Sequence, residues 1–281
     1  MHDTSDEAIR QRLEELGAYP TLAPFSRSFY GFVAELVNAI SGQSGVRLAL
    51  AGLLDVELRH HREMARLADR SVLALSDLQE LSERHRIGLA TVLELAEKVP
   101  AVEVVPAAAR QLILAQCYYH LRHMDEVVEA LEEVVALGVH QPLVQFALGY
   151  SRYVVALESC ARESDLAGQA RVPDQLAFQM RCLRAVGALE DGLSGGEFDI
   201  QLYWWMGVIL EAAGLTEAAQ HAYDKSASLM ELGDGTEEAE AAPELFGFAA
   251  ISEAEVRLAA ELFKGRFHPA DLWGEEPDDG N

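Results

Sequence analysis

The sequence predicts an all-α protein built largely from amphipathic helices. Apolar residues recur three and four positions apart through most of the chain, which is typical of helices with one buried face. Half of the 281 residues are apolar, and the frequent residues Ala, Leu, Glu and Arg favour helix over strand. The chain is therefore long and apolar enough to bury a sizeable helical core.

Four helices are predicted in the first hundred residues, where segments with the helical period alternate with breaks rich in Gly, Ser or Pro. Thr4 or Ser5 can cap the first helix, and a capping box begins at Ser76 before the fourth. Pro100 and Pro106 are expected to close the section. The predicted helices cover residues 4–17, about 28–41, 45–70 and 77–98, with a linker over 18–26.

Residues 112–138 predict a helical hairpin. Its first helix carries Leu114 and Tyr118 on one face, a polar turn follows at Arg122–Asp125, and the second helix carries Val127 and Leu131. A single hairpin cannot cover two apolar faces, so this pattern calls for neighbouring hairpins of the same kind.

The pattern recurs along the chain. Leu148-Gly149 falls 34 residues after Leu114-Ala115, and independent helices have no reason to keep such a period. A further copy has Met206-Gly207, with Gly214 in the turn and Tyr223 in the second helix. A loop over 161–173 is expected to interrupt the middle copy, and a shorter fourth copy is expected around Phe246-Gly247, Ala259 and Phe263.

These residues resemble the tetratricopeptide repeat, a helix–turn–helix unit with a Leu-Gly pair in its first helix and a glycine in its turn. Leu114-Ala115 stands at the Leu-Gly pair of the first copy, and Arg122 replaces its turn glycine. The resemblance covers residues 106–266 and implies a right-handed solenoid of helical hairpins. Residues 1–100 would be eroded repeats or a separate bundle, and residues 267–281 would be an acidic tail.

The resemblance also implies a groove, lined by the first helix of each hairpin, that binds a peptide or a helix of a partner protein. Several of the implied positions are aromatic, and Tyr and Trp are common anchors of protein interfaces. Aromatic residues at helical spacing can also be core residues. The implied groove residues are Gln116, Tyr119, His120, Phe146, Tyr150, Tyr153, Gln201, Trp204 and Glu211.

A second candidate site lies in the third predicted helix. Glu57 and His60 share a face, as in the Glu-x-x-His pairs of di-iron helix bundles. The chain has no second Glu-x-x-His, so we interpret this stretch as a solvated helix face with a Glu57–His61 pair. The alternative is a metal site at Glu57, His60 and His61, within a metal-binding or enzymatic helical domain over residues 28–98 to which the repeats are an appendage.

The charge balance disfavours nucleic acid as a partner. There are 46 acidic and 22 basic residues, for a net charge of −24, whereas nucleic-acid binding depends on Lys and Arg. No run approaches the ~18–20 apolar residues that span a bilayer, and the acidic N-terminus is unlike a secretory signal. Three cysteines without a Cys-x-x-Cys pair indicate reduced thiols, so we expect a cytoplasmic protein without membrane insertion.

The sequence contains no recognisable catalytic motif: the phosphate loop, the dinucleotide fingerprint and the Gly-x-Ser-x-Gly elbow are all missing. We therefore expect no enzymatic activity and no cofactor. The few lysines favour a high-GC or salt-adapted bacterial host. The predicted function is that of an adaptor, scaffold or dedicated chaperone that binds a protein partner, and it is compatible with a homo-oligomer.

Overall fold

The structure is a computed structural model that describes residues 3–19, 22, 24–39, 44–68, 75–100, 103–167, 175–196 and 198–232. These residues form ten α-helices and no strand, which confirms the predicted all-α class. The chain divides into two compact units, the first ending at Val144 and the second beginning at Gln145. The predicted fourth repeat and the acidic tail lie outside the described residues.

The first unit contains α1 (Asp6–Gly17), α2 (Pro24–Asn38), α3 (Ser44–Ala68), α4 (Leu75–Lys98), α5 (Val104–Leu121) and α6 (Met124–Ala136). The Ser5 hydroxyl caps α1 by accepting a hydrogen bond of 3.2 Å from the N–H of Ala8. Two prolines that were predicted to lie between helices lie inside helices instead. Pro24 begins α2 and Pro106 lies in the first turn of α5, where a proline is tolerated because the N–H it lacks would have no helical partner. Ser76 likewise falls inside α4.

Helices α3 and α5 form the centre of the first unit. Helix α3 packs against α1, α2, α4 and α5, while α5 also contacts α2, α4 and α6. Leu50 and Leu54 of α3 and Leu112 and Ile113 of α5 are fully buried. Because α3 has neighbours on several sides, most of its circumference is inside the protein, including positions that carry charged side chains.

The turn between α5 and α6 lies where the sequence placed it. Arg122 adopts a left-handed conformation, with φ of 65°, and the N–H of His123 donates a hydrogen bond of 2.9 Å to the carbonyl of Tyr118. Gly214 has the same role in the last hairpin, with φ of 73°. The N–H of the next residue, Leu215, donates across the turn in the same way, at 2.9 Å. Arg122 therefore takes up the conformation that glycine adopts at the aligned position, at a steric cost of roughly 1 kcal/mol.

The second unit contains most of α7 (Pro142–Ala167), with α8 (Gln175–Asp191), α9 (Asp199–Ala212) and α10 (Thr216–Leu232). Within this unit α9 packs against both α8 and α10. The loop predicted over 161–173 is partly wrong, because α7 remains helical to Ala167. No glycine or proline precedes Gly168 in that stretch, so nothing ends the helix earlier.

Two glycines of the repeat pattern lie at close helix contacts in the second unit. A Cβ on Gly149 would lie 2.6 Å from Cδ2 of Leu189 in α8, and a Cβ on Gly207 would lie 2.4 Å from the ring of Tyr223 in α10. Glycine at these positions lets the second helix of each hairpin approach the backbone of the first.

Candidate functional site: a buried glutamate among histidines

Four of the nine residues predicted to line a partner groove are buried. Gln116, Tyr119, Phe146 and Tyr150 are each less than a tenth exposed. In the second unit the rings of Phe146 and Tyr150 pack against Trp205, with centroids 6.1 and 5.2 Å apart. In this structure these four side chains belong to the core. His120, Tyr153 and Gln201 are half-buried, whereas Trp204 and Glu211 are exposed.

The third predicted helix, α3, holds the most unusual site. Glu57 is 1% exposed and His61 is 7% exposed, so the interpretation of this stretch as a solvated face is wrong, although the expected Glu57–His61 pair is present. Tyr19, which follows α1, stacks on His61 with ring centroids 6.1 Å apart. Helices α4 and α5 cover the same region, and together these neighbours exclude solvent from the Glu57 carboxylate.

Four imidazole rings from three helices surround this carboxylate. His85 of α4 places Nε2 2.8 Å from Oε1 of Glu57, and His120 of α5 places Nε2 3.7 Å from the same oxygen. His61 approaches the other oxygen, also at 3.7 Å, and His60 stacks on His85 with centroids 4.1 Å apart. We call these five residues the histidine cluster.

Two further polar residues extend the histidine cluster towards α2. The amide nitrogen of Gln116 donates to the Tyr30 hydroxyl at 3.1 Å and lies 2.9 Å from Nε2 of His120. Burial and the nearby charge of Glu57 raise the pKa of Tyr30 well above its usual value, so its hydroxyl stays protonated.

The cluster keeps its carboxylate ionised and disfavours protonation of His60, His61 and His120. Burial alone would raise the pKa of Glu57, but attraction to His120 and the hydrogen bond with His85 outweigh it and lower this pKa to about 2. Burial is the main cause that lowers the pKa of His60 to about 4 and also lowers the pKa of His61 and His120. Since an ionised carboxylate only accepts hydrogen bonds, His85 donates from Nε2.

A cavity of about 760 Å³ lies beside the cluster, between α3 and α4. His60 and His85 belong both to the cluster and to the cavity wall. Among the described residues, Nδ1 of His60 is buried and has no hydrogen-bond partner. A buried polar atom without a protein partner is uncommon in folded proteins.

The residues of the histidine cluster are held by polar contacts and ring stacking. Within the described part of the chain, no group of three or more His, Cys, Asp or Glu side chains is placed to hold a metal ion. The imidazoles are divided between the two oxygens of Glu57, with His85 and His120 at one and His61 at the other. The alternative ligand set of Glu57, His60 and His61 is thus brought together by α3, but in a hydrogen-bonded and stacked arrangement.

Sequence reasoning did not find His85 and assigned His120 to a groove. One signal for the site was present in α3, since Glu57 and His61 follow the fully buried Leu50 and Leu54 at the spacing of one helix face. A carboxylate on the same helix face as core leucines is expected to be buried. Its partners on α4 and α5 could not be assigned without the packing of the helices.

A different exposed feature lies in the second unit, on α8. Leu176, Met180 and Leu183 are 67%, 50% and 43% exposed, and their spacing of four and three residues places them in one row. Gly187 continues the row, and a Cβ there would meet nothing within 4 Å. We call these four residues the α8 row.

None of the described helices combines the length and the apolar composition needed to cross a membrane. Comparisons of this chain with protein-family models, with curated proteins and with solved structures find no match.

Proposed function

We propose that this protein is a non-enzymatic interaction module that binds an amphipathic helix of a partner protein along the α8 row. The observation that carries the proposal is the exposure of three large apolar side chains, Leu176, Met180 and Leu183, on one face of a helix. Contiguous exposed apolar patches are typical of protein interaction sites, whereas single exposed apolar residues are ordinary.

The hairpins support an interaction function. Gly149 and Gly207 lie at close contacts between paired helices, and Gly214 and Arg122 adopt left-handed conformations at aligned turns. These features agree with the resemblance to tetratricopeptide repeats, which bind segments of other proteins. The binding surface proposed here differs from the groove that the resemblance implies, because several of the implied groove residues are buried.

The dimensions of the surface suit a helical partner. Eleven residues separate Leu176 from Gly187, which corresponds to about 16 Å at ~1.5 Å per residue, or three turns of a partner helix. The chain carries a net charge of −24, which favours encounter with a basic segment. Met180 has a flexible side chain that can adapt to the partner.

Site-specific photo-crosslinking tests this function. A photoreactive phenylalanine analogue replaces Met180 in one full-length variant and Val104 in the control, since Val104 is similarly exposed, at 53%, but lies in the first unit. The crosslinked partner segment is then synthesised and titrated against purified protein. We expect a Met180-specific crosslink and saturable binding that weakens at least tenfold when Leu176, Met180 and Leu183 are all changed to Ser, but not after Val104→Ser.

Three results would overturn the assignment. One is equal crosslinking from positions 180 and 104. Another is a crosslink only within this chain or to a second copy of it, which would mean that the α8 row is covered by the protein itself. The third is unchanged peptide affinity in the folded triple Ser variant.

A further inference from the structure

The cavity between α3 and α4 is separate from the α8 row, because all of its wall residues lie in the first unit. Its volume of about 760 Å³ falls within the ~300–1,000 Å³ that is usual for small-molecule pockets. Leu48 and His60 both line it and are twelve residues apart on α3, so the cavity extends for about 18 Å along the helix at ~1.5 Å per residue. A ligand that fills it is long and narrow.

One part of the cavity wall is apolar. Leu48, Val92 and Leu95 contribute aliphatic side chains, and Gly52 and Gly88 expose helix backbone where a larger side chain would fill space. A Cβ on Gly88 would lie 3.0 Å from the Val56 side chain, so this glycine also sets how closely the two helices approach. This part suits an unbranched alkyl chain, which needs no hydrogen bonds.

The other part of the wall is polar and mainly basic. Arg59 and Arg84 lie there with His60 and His85, in a chain whose net charge is −24. Arg59 donates to the carbonyl of Asp55 at 3.1 Å and Arg84 pairs with Glu80 at the surface, which leaves each guanidinium with further N–H groups for a ligand. Glu63 also lines this part, but its carboxylate pairs with Arg66. Arginine is well suited to bind a carboxylate with two parallel hydrogen bonds.

At the same end, Nδ1 of His60 is buried without a hydrogen-bond partner. A buried polar atom that lacks a partner costs free energy of folding, and a ligand group would recover part of this cost if the His60 ring turned towards it. His60 stacks on His85, which in turn is held by Glu57, so the ring of His60 is supported from behind by the histidine cluster.

We propose that this cavity binds a long-chain monocarboxylate, with the carboxylate group at Arg59, Arg84 and His60 and the alkyl chain along the apolar wall. The charge of the headgroup matches the only basic part of this wall, and the length of the chain matches the 18 Å extent worked out above at ~1.5 Å per residue. The function proposed for the second unit does not depend on this site.

Calorimetric titration of the full-length protein with myristate tests the proposal. Myristyl trimethylammonium provides the same alkyl chain with a positive headgroup, and butyrate provides the carboxylate without the chain. We expect saturable binding of one myristate, with neither of the other two compounds binding comparably. A photoreactive diazirine analogue of myristate should label residues between 48 and 95.

Two pairs of substitutions with the same change in charge locate the headgroup. The double variant Arg59→Gln and Arg84→Gln changes the cavity wall. The control double variant, Arg66→Gln and Arg86→Gln, changes the same two helices outside the cavity wall, at side chains that are 71% and 60% exposed. The first pair should weaken myristate binding at least tenfold and the second should leave it within about twofold, with circular dichroism showing that both variants are folded.

The proposal is overturned if folded wild-type protein does not bind myristate saturably, or if the cationic compound binds as tightly. Equal weakening by the two arginine pairs would show a general effect of charge and would overturn it as well. Labelling by the diazirine analogue outside residues 48–95 would place the ligand elsewhere.

Discussion

Replacing Glu57 with Gln removes the negative charge of the histidine cluster while keeping the size of the side chain. In the folded protein the pKa of Glu57 is lowered from 4.5 to about 2. At ~1.4 kcal/mol for each pKa unit, the ionised carboxylate contributes about 3 kcal/mol to the free energy of unfolding. Because the folded pKa is the lower one, this contribution is complete above pH 4.5 and is lost as the pH falls towards 2.

We therefore expect Glu57→Gln to lower the free energy of unfolding by about 3 kcal/mol at pH 7. The same difference should be found at any pH between 5 and 8, because Glu57 stays ionised throughout that range. Urea unfolding followed by circular dichroism measures it. Glu35→Gln is the matched control, since Glu35 is exposed on α2, and its effect should stay within ~0.5 kcal/mol.

A loss below ~1 kcal/mol for Glu57→Gln at pH 7 would refute this reasoning, because it would show that the histidines do not stabilise an ionised carboxylate. The reasoning would also be refuted if the difference in free energy of unfolding between the variant and wild type disappeared between pH 8 and pH 5. That result would place the pKa of Glu57 in the folded protein within this pH range.

Five further substitutions test the cluster and the hairpins. The pKa of His60 is lowered from 6.5 to about 4 in the folded protein, so the neutral ring stabilises the fold fully above pH 6.5 and this stabilisation is lost as the pH falls towards 4. Between pH 7 and pH 5 the free energy of unfolding of wild type should therefore fall by about 1 kcal/mol more than that of His60→Gln, as measured by urea unfolding. This figure allows for the partial exposure of the ring. Arg122→Gly should raise thermal stability by about 0.5–1 kcal/mol, whereas Gly214→Ala should lower it by about 1 kcal/mol; a stabilising Gly214→Ala would contradict the left-handed turn. Gly207→Ala should cost about 2 kcal/mol or more in urea unfolding because its Cβ would lie 2.4 Å from Tyr223. Gly187→Ala, where a Cβ meets nothing within 4 Å, should instead stabilise by about 0.5–1 kcal/mol, and equal effects at both glycines would contradict the contact.

The hairpins could be predicted from sequence because their signals are local. A turn needs a left-handed residue at a fixed distance from two apolar helix faces, and the alignment of Arg122 with Gly214 located that residue even without a glycine. Close helix contacts also leave a local trace, as at Gly149 and Gly207. Such signals depend on a few neighbouring residues and are independent of how the units are arranged.

The histidine cluster could not be predicted in the same way. Glu57, His85 and His120 come from three helices, and only the packing of α4 and α5 on α3 brings them together. Charged residues are usually exposed, so the charged stretch of α3 was interpreted as a helix face in contact with solvent. The predicted groove residue Gln116 is buried because α2 places Tyr30 against it, a contact between residues far apart in the chain.

The polar network from Tyr30 through Gln116 and His120 to Glu57 and His85 joins α2, α3, α4 and α5. Apolar surfaces tolerate sliding by a residue or two at modest cost, since one leucine can replace another in a contact. A buried carboxylate does not, because a shift of one helix by one residue would leave its charge without a donor. We therefore expect the network to fix the register of these four helices, so that the first unit adopts one packing arrangement among several that its apolar residues alone would allow.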